Sequence, residues 1–333
     1  MKVARILFVL GVIITTPVLS LFSKEMGDIL DKSIPKNRKF KTTLLLSLAN
    51  IHYRYMSRHV VDNLIFVPFS PEMVPFVQNL VCSFLENGGD VSLLLLSIDG
   101  ECSQIDTRES LRIECVSYQV NNERAENGVV VYQKGTYLKL VAQKLAFTCV
   151  VFEVAKKIGF RKMALSDADV IYLGNPFSAY DCTVDVCFMN GAVGTRDGCA
   201  SGDVINSGFY IMKMSDVVYS MLTKAVDNLR KGITYDNTDQ GAITSAILGM
   251  RGVLTYEILS CRMFANGAVF LMNQESLPGL VVVHMNWILS SEDKKRCFKS
   301  TGLWFTSEQT CSPAGERKTT MIKKDNNGPL VCV

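Results

Sequence analysis

The sequence predicts an α/β fold in which a mixed, mostly parallel sheet is flanked by helices. Short apolar runs alternate with helical patterns along most of the 333 residues, and such alternation is typical of βαβ units. Hydrophobic residues make up 48% of the chain and charged residues 20%, which is enough apolar material for one large core or two modest ones. We therefore expect an enzyme-sized folded body behind an N-terminal membrane anchor.

The first 22 residues differ in kind from the rest of the chain. Lys2 and Arg5 precede an apolar run over residues 6–22, which is the pattern of a secretory signal or a signal anchor. The run has 17 residues, near the lower limit for crossing a bilayer, where about 20 are usual. Basic residues favour the cytoplasmic side, so residues 1–5 are expected in the cytosol and the body in the lumen. Cleavage after Ser20 would instead release the body for secretion, and the sequence leaves both outcomes open.

A polar and charged segment over residues 23–41, with Pro35 in its middle, favours a solvated stem between the membrane and the folded body. The lumenal domain is then expected over residues 42–333. Its first feature, residues 44–49, is either a helix before the core or an early strand, because periodicity alone does not decide.

Three successive patterns predict a βαβ unit at the start of this domain. Residues 63–68 are strand-like, residues 72–86 carry an apolar helical stripe, and residues 91–98 are strand-like again. Residues 137–158 predict one long helix or two successive helices, and residues 162–166 a short buried strand. Later strands are expected at residues 184–188, 208–212, 254–258 and 280–284. Ligands of such a sheet bind beyond the carboxyl ends of its strands.

The cysteines agree with a lumenal body. All eleven follow the apolar run, in a compartment that permits disulfides, and the odd number leaves at least one unpaired. Cys82 and Cys149 lie within apolar runs and are predicted to be buried thiols. No Cys-x-x-Cys pair occurs in the sequence, which argues against a zinc ribbon or a thioredoxin-like motif.

Charge and pattern exclude several classes of function. Lysine and arginine total 35 against 32 for aspartate and glutamate, and the net charge of +3 gives no electrostatic reason to expect a nucleic acid partner. The sequence contains no internal repeat or low-complexity tract, which argues against solenoids and propellers.

The strongest signal for chemistry follows the strand at residues 162–166. Asp167 and Asp169 are separated by one residue, so in an extended segment both carboxylates project from the same face. They end a buried strand, where a sheet of this type places its ligands. Two hard oxygen donors there suit magnesium or manganese, which could bridge to a bound pyrophosphate. An isolated Asp-x-Asp also occurs in ordinary polar loops, so the pair alone does not decide.

Four further blocks accompany this motif in a fixed order. The motif itself lies in LSDADVIYLGNPF at 165–177, and the four further blocks are LIFVPFSPEMVPFVQNLVCSFLENGGDVSLLLLSIDG at 64–100, NSGFY at 206–210, TDQ at 238–240, and VHMNWI at 283–288 with GLW at 302–304. Together they resemble the nucleotide-diphosphosugar transferase family, which includes plant cell-wall xylosyl- and arabinosyltransferases. The resemblance extends over roughly residues 60–305, and the order of the blocks is more specific than any single block.

The resemblance implies a GT-A fold, a divalent metal ion, a nucleotide-sugar donor and transfer with retention of anomeric configuration. It implies that His284 joins Asp167 and Asp169 as ligands of Mn²⁺ or Mg²⁺, since imidazole is an acceptable manganese ligand. It also implies a catalytic pair, Asp239 and Gln240, that faces the donor sugar.

Four residues are candidates for binding the donor. They are Asp99, Lys144, Asn206 and Gly208. Lys144 lies on the helix before the metal strand, where it would offset phosphate charge. The family usually has a glycine between Trp287 and Lys294, where this chain reads ILSSED, so no phosphate contact is carried over to Lys294.

Each assignment has a purely structural alternative. His284 could be a hydrogen-bonded histidine at the sheet edge, and Asp239 could cap its helix or complement the helix dipole. Lys144 could belong to a solvated helix face, and Asn206 with Gly208 could form a plain turn before a strand. We expect Trp304 to pack in the core rather than cover the nucleotide.

The sequence therefore predicts a Golgi enzyme, a single-pass type II membrane protein with its catalytic domain in the lumen. Its expected reaction moves a sugar from a nucleotide sugar, most simply a UDP-sugar, to a hydroxyl of a glycan or glycoprotein. The alternative is a non-catalytic protein on the same fold that binds nucleotide sugars or carbohydrate. The presence of both aspartates with Gln240 and His284 disfavours that alternative.

Overall fold

The structure is a computed structural model that describes only part of the chain. The described residues are 38–56, 63–105, 107, 112–119, 135–192, 204–231, 234, 238–273, 279–288, 290–307, 310–312, 322–324 and 330–332. The apolar run at residues 6–22 and residues 1–5, the expected cytoplasmic tail, lie outside them. Within the described ranges, no helix is both long enough and apolar enough to cross a membrane.

The described residues form α-helices and two short 3₁₀ helices. The 3₁₀ helices are Pro71–Met73 and Cys102–Gln104. The α-helices are α1 Arg38–Met56, α2 Val74–Asn87, α3 Gly135–Ile158, α4 Pro176–Ala179, α5 Asp216–Lys231, α6 Asp239–Leu248, α7 Gly267–Met272 and α8 Ser291–Ser300. Residues 44–49 are thus helical, and residues 137–158 belong to one long helix rather than two. Helix α1 begins at Arg38, inside the segment expected to be the stem.

The strands form one large sheet and three small ones. They are β1 Asn63–Phe69, β2 Ser92–Ile98, β3 Ile113–Tyr118, β4 Lys162–Ser166, β5 Val170–Tyr172, β6 Val186–Asn190, β7 Ile205–Lys213, β8 Tyr256–Ile258, β9 Phe264–Asn266, β10 Val282–His284, β11 Thr306–Ser307, β12 Thr310–Cys311, β13 Ile322–Lys324 and β14 Leu330–Cys332. The large sheet has the order β3-β2-β1-β4-β7-β6-β8. Strand β7 is antiparallel to β4 and β6, and the other pairings are parallel. The prediction of a mixed, mostly parallel sheet is confirmed.

Both faces of this sheet are buried, which explains why its central strands read as continuous apolar runs. On β1, Ile65 and Val67 belong to a core on the side of α2, whereas Leu64 and Phe66 belong to a second core on the side of α3. All seven residues of β2 are buried. Burying each such large apolar side chain contributes about 1.5–3 kcal/mol to the stability of the fold.

A second sheet attaches the C-terminal part of the domain to the motif after β4. It has the order β5-β10-β9, with β10 antiparallel to β5 and parallel to β9. The apolar run at residues 280–284 is therefore a strand, as predicted, but it lies outside the large sheet. Its register pairs His284 with Val170, the residue that follows Asp169.

Disulfides connect several elements of the described residues, and one of them joins segments that are far apart in the sequence. The bonds join Cys82 to Cys311, Cys102 to Cys115, Cys182 to Cys187 and Cys297 to Cys332, and Cys261 is also disulfide-bonded. Cys149 is a buried free thiol, as predicted. The prediction for Cys82 is wrong, because its partner comes from a segment 229 residues further along the chain.

Candidate active site

The two aspartates of the Asp-x-Asp motif lie just beyond the carboxyl end of β4. The backbone N–H of Asp167 donates to the carbonyl oxygen of Gly208 at 2.7 Å, and the N–H of Met285 donates to the carbonyl oxygen of Asp169 at 3.0 Å. Asp169 is buried, whereas Asp167 is half-buried. The backbone of the motif is thus held between β7 and the end of β10.

His284 meets both carboxylates, as the resemblance implied. Its Nε2 atom lies 3.7 Å from Oδ2 of Asp167 and 3.3 Å from Oδ1 of Asp169. One ligand atom from each of the three residues lies within 4.8 Å of the others. The antiparallel pairing of β10 with β5 produces this convergence, because it brings the end of β10 back to the motif.

Lys144 bridges the motif to helix α6 and is not a solvated lysine. Its Nζ atom lies 2.5 Å from Oδ1 of Asp167 and 2.8 Å from Oδ2 of Asp239, and it donates to the carbonyl oxygen of Ser207 at 3.2 Å. Burial disfavours the charged form of Lys144, but the two carboxylates outweigh it and hold the pKa of the ammonium well above its usual range. The direction of this shift favours the charged form of Lys144 inside the site.

Lys294 makes a similar contact on the other aspartate. Its Nζ atom lies 2.6 Å from Oδ2 of Asp169. Burial would raise the pKa of Asp169, but Lys294 and His284 outweigh it and hold the pKa of that carboxyl well below its usual range. The direction of this shift favours the ionised form of Asp169.

The donor atoms of the cluster fit a hard divalent cation. On each aspartate one oxygen contacts a lysine, and the other is turned towards Nε2 of His284. Two carboxylate oxygens and one imidazole nitrogen are a donor set that manganese or magnesium accepts. A Cβ atom at Gly208 would lie 2.0 Å from Cε1 of His284 and 2.7 Å from Oδ2 of Asp167, so glycine keeps this space open.

Asn206 and Gly208 lie on β7 beside this cluster. Oδ1 of Asn206 accepts the backbone N–H of Gly208 at 2.8 Å and lies 3.0 Å from Nδ1 of His284. The pairing of β7 with β6 shifts register between Phe188 and Met189, an irregularity of the kind that is common next to active sites. The two residues are thus part of a strand, and the alternative of a plain turn is wrong.

Asp239 begins helix α6 and makes two kinds of contact. Thr238 caps the helix, with its Oγ1 accepting the N–H of Gly241 at 3.1 Å. Oδ1 of Asp239 accepts the N–H of Gln240 at 3.0 Å, while Oδ2 pairs with Lys144. Thr238 rather than Asp239 is therefore the cap, and Asp239 lies in the first turn, where a carboxylate complements the helix dipole, while it also contacts Lys144. The side chain of Gln240 is half-buried in the same turn.

Asp99 follows β2 and has a backbone φ of 60°, which is uncommon for a residue other than glycine. Its N–H donates to the carbonyl oxygen of Tyr118 at 2.8 Å. Burial, with a smaller contribution from the Asp99 carboxylate, raises the pKa of Tyr118 to about 12. Asp99 lies at the same edge of the sheet as Asp167, and β1 separates their strands.

The aromatic residues near the end of the matched blocks have different environments. Trp304 packs against Phe76 and Phe298, with the ammonium of Lys295 5.6 Å from its ring centroid, so the expectation of a packing role agrees with its contacts. Trp287 was not singled out from the sequence, but it has a φ of 68° and 43% of its surface is exposed.

Comparison with known proteins gives three findings. A family model described as nucleotide-diphospho-sugar transferase matches residues 94–298. No curated protein matches the chain. A solved structure titled "WbbM bifunctional glycosytransferase apo structure" is 8% identical, with a TM-score of 0.47, and the match covers 69% of this chain.

The chain spans about half, 48%, of the length of that solved protein, and the similarity is too low to compare the two sites. The family match covers more than half of the chain and includes both aspartates, His284 and Gln240. The chain belongs to the nucleotide-diphospho-sugar transferase family.

Proposed function

We propose that the enzyme transfers a sugar from a nucleotide-diphosphate sugar, most simply a UDP-sugar, to a hydroxyl of a glycan or glycoprotein. We further propose retention of anomeric configuration and dependence on Mn²⁺ or Mg²⁺ held by Asp167, Asp169 and His284. The observation that carries the metal assignment is the convergence of these three ligand atoms within 4.8 Å. Retention and the donor class are supported by the resemblance of the sequence blocks.

The proposed roles follow from charge and position. When bound, the cation would neutralise the charge that develops on the departing diphosphate. Lys144 and Lys294 each occupy one carboxylate oxygen, which keeps the other oxygen of Asp167 and Asp169 directed at the cation site. Lys144 also adds a fixed positive charge next to the phosphates, as expected for a residue that binds the donor.

We assign the reacting sugar to the start of helix α6. A neutral amide such as that of Gln240 can direct its oxygen at the positive charge that develops on the anomeric carbon, without competing for the cation. Asp239 supports this arrangement, because its two oxygens hold the first turn of α6 and Lys144 in fixed relation. Asp99 is proposed to contact the nucleotide, since its unusual backbone places it at the ligand-binding edge of the sheet.

The proposed setting is the Golgi membrane, with residues 6–22 as the anchor and the catalytic domain in the lumen. The support is the charge pattern at the N-terminus together with the disulfides of the domain, which persist in oxidising compartments.

A donor screen with the full chain in detergent tests the function. We expect one nucleotide sugar of a panel to be hydrolysed slowly in the presence of Mn²⁺, and hydrolysis to stop when the metal is chelated. Hydrolysis that survives chelation would contradict the metal assignment. Donor binding in calorimetry without any turnover on any acceptor would favour the non-catalytic alternative.

A further inference from the structure

Asn206 reaches the metal cluster from a strand that carries none of its ligands. Its side chain is 4% exposed, and its Oδ1 atom has two neighbours that can donate hydrogen bonds. These are the backbone N–H of Gly208 at 2.8 Å and Nδ1 of His284 at 3.0 Å. The first neighbour fixes the orientation of the amide, because only oxygen can accept from a backbone N–H.

This orientation determines where His284 carries its hydrogen. A carboxamide oxygen has no hydrogen to give, so Nδ1 of His284 must be the donor in the contact with Asn206. When the ring is neutral, Nε2 is then left with a lone pair. That lone pair points to the side where Oδ2 of Asp167 and Oδ1 of Asp169 lie 3.7 and 3.3 Å away.

Nε2 of His284, Oδ2 of Asp167 and Oδ1 of Asp169 all carry lone pairs that face one another. They repel unless a cation lies between them. We propose that Asn206 is a positioning residue of the metal site, which fixes the ring of His284 with its Nε2 lone pair towards the cation, rather than a contact of the donor sugar. Gly208 contributes to the same positioning, because its N–H orients the Asn206 amide and its lack of a Cβ leaves room for the His284 ring. This inference rests on the proposed function, since it assumes that the cluster binds a divalent cation.

Without the Asn206 oxygen, the hydrogen of the neutral His284 ring is more stable on Nε2 than on Nδ1. A hydrogen on Nε2 could be donated to Oδ1 of Asp169, which lies 3.3 Å away. That hydrogen would block the ligand atom and would have to be displaced by the metal. Loss of an outer partner of a metal-binding histidine typically lowers metal affinity by about 10–100-fold.

The test compares Asn206→Ala and Asn206→Asp in the full chain. Aspartate keeps an acceptor for the Nδ1 hydrogen, whereas alanine removes it. Asn190→Ala is the matched control, because Asn190 is also a buried asparagine whose Oδ1 accepts a backbone N–H, that of Ala192. Mn²⁺ affinity is measured by calorimetry without nucleotide, and melting temperatures show whether each variant is folded.

A second readout does not require metal. The chain has three histidines, so ¹⁵N labelling of histidine gives three ring signals, and His284→Gln identifies the one of interest. In the metal-free wild type we expect the Nδ1 shift of His284 to show an attached hydrogen. In Asn206→Ala we expect a shift towards a hydrogen on Nε2 alone, and in Asn206→Asp a return to the wild-type pattern.

The expected outcome is a loss of Mn²⁺ affinity of about 10–100-fold in Asn206→Ala, with affinities within a few-fold of wild type in Asn206→Asp and Asn190→Ala. An Nδ1 without hydrogen in the wild type would overturn the proposal. So would an Asn206→Ala variant that binds Mn²⁺ normally but loses donor affinity, since Asn206 would then contact the donor. Failure of the wild type itself to bind Mn²⁺ would instead refute the proposed metal dependence, while the ring spectrum would still report on Asn206.

Discussion

The Nζ atom of Lys144 lies 2.8 Å from Oδ2 of Asp239, and this contact joins the long helix α3 to the first turn of helix α6. The same ammonium lies 2.5 Å from Oδ1 of Asp167, so one buried positive charge connects the metal motif with the turn that carries Gln240. Any movement of α6 relative to β4 would separate charges that are shielded from water. The two contacts of Lys144 therefore hold the Asp-x-Asp motif and the first turn of α6 at a fixed separation.

Lys144→Met should lose both activity and stability, because it leaves Asp167 and the buried Asp239 without their partner. Removing one member of a buried ion pair typically costs about 3–5 kcal/mol in the free energy of unfolding. Urea unfolding measures the loss. The control is Lys156→Met on the same helix, whose partner Asp216 is exposed and which should change stability by no more than about 1 kcal/mol.

A double variant separates the two effects of Lys144. Lys144→Met combined with Asp239→Asn removes the unpaired charge on α6, so part of the stability should return while activity stays low. Equal stability of the wild type and Lys144→Met would show that the bridge contributes nothing to the fold.

Asp167→Asn and Asp169→Asn should each abolish manganese-dependent nucleotide binding, because each removes the charge of one oxygen ligand. Calorimetry with Mn²⁺ and a nucleoside diphosphate measures this. Asp181→Asn, which alters an exposed aspartate paired with Lys162, serves as the control and should bind normally. Wild-type binding by both variants would mean that the metal assignment is wrong.

Gln240→Ala should lower turnover strongly while changing donor affinity little, because its amide is assigned to charge that develops only in the transition state. Loss of one such preorganised group typically costs on the order of a hundredfold in rate, about 3 kcal/mol. The measurement is kcat and KM on the identified donor and acceptor. Leu248→Ala, at an exposed position of the same helix, should keep wild-type values, and near-normal turnover in Gln240→Ala would remove this residue from the reaction centre.

Gly208→Ala should impair the site although it adds one methyl group. The new Cβ would lie 2.0 Å from Cε1 of His284, so the ring must move away from the aspartates. Forcing extra volume into a packed site typically costs about 1–3 kcal/mol in stability, and Mn²⁺ affinity should fall as well. At Gly174 the nearest atom to a new Cβ, on Val281, is 3.5 Å away, so Gly174→Ala should melt and bind Mn²⁺ like the wild type.

The topology can be tested in sealed microsomes. If residues 1–5 face the cytosol and the domain faces the lumen, added protease should leave the domain intact until detergent opens the vesicles. Digestion of the domain in sealed vesicles would contradict the type II arrangement, and a shortened mature chain that begins after Ser20 would show that the apolar run is cleaved.

The sequence by itself determined the βαβ unit, the mixed sheet and the place of Asp167 and Asp169 at a strand end. These features depend on periodicity and residue order within short segments, and both can be read without knowing what packs against them. The placement of His284 beside the two aspartates was also predicted, but only through the resemblance of its sequence block to the family.

Only the tertiary structure decided which side chains contact one another at the site. Lys144 lies on α3 and Asp239 on α6, so no local pattern distinguishes their buried ion pair from two separate surface charges. The bond between Cys82 and Cys311 and the contact of Asn206 with His284 also join distant segments. Such contacts depend on how strands and helices pack against one another. The charge, hydrogen-bonding role or oxidation state of a side chain is set by its partner in space, and its neighbours in the sequence do not reveal that partner.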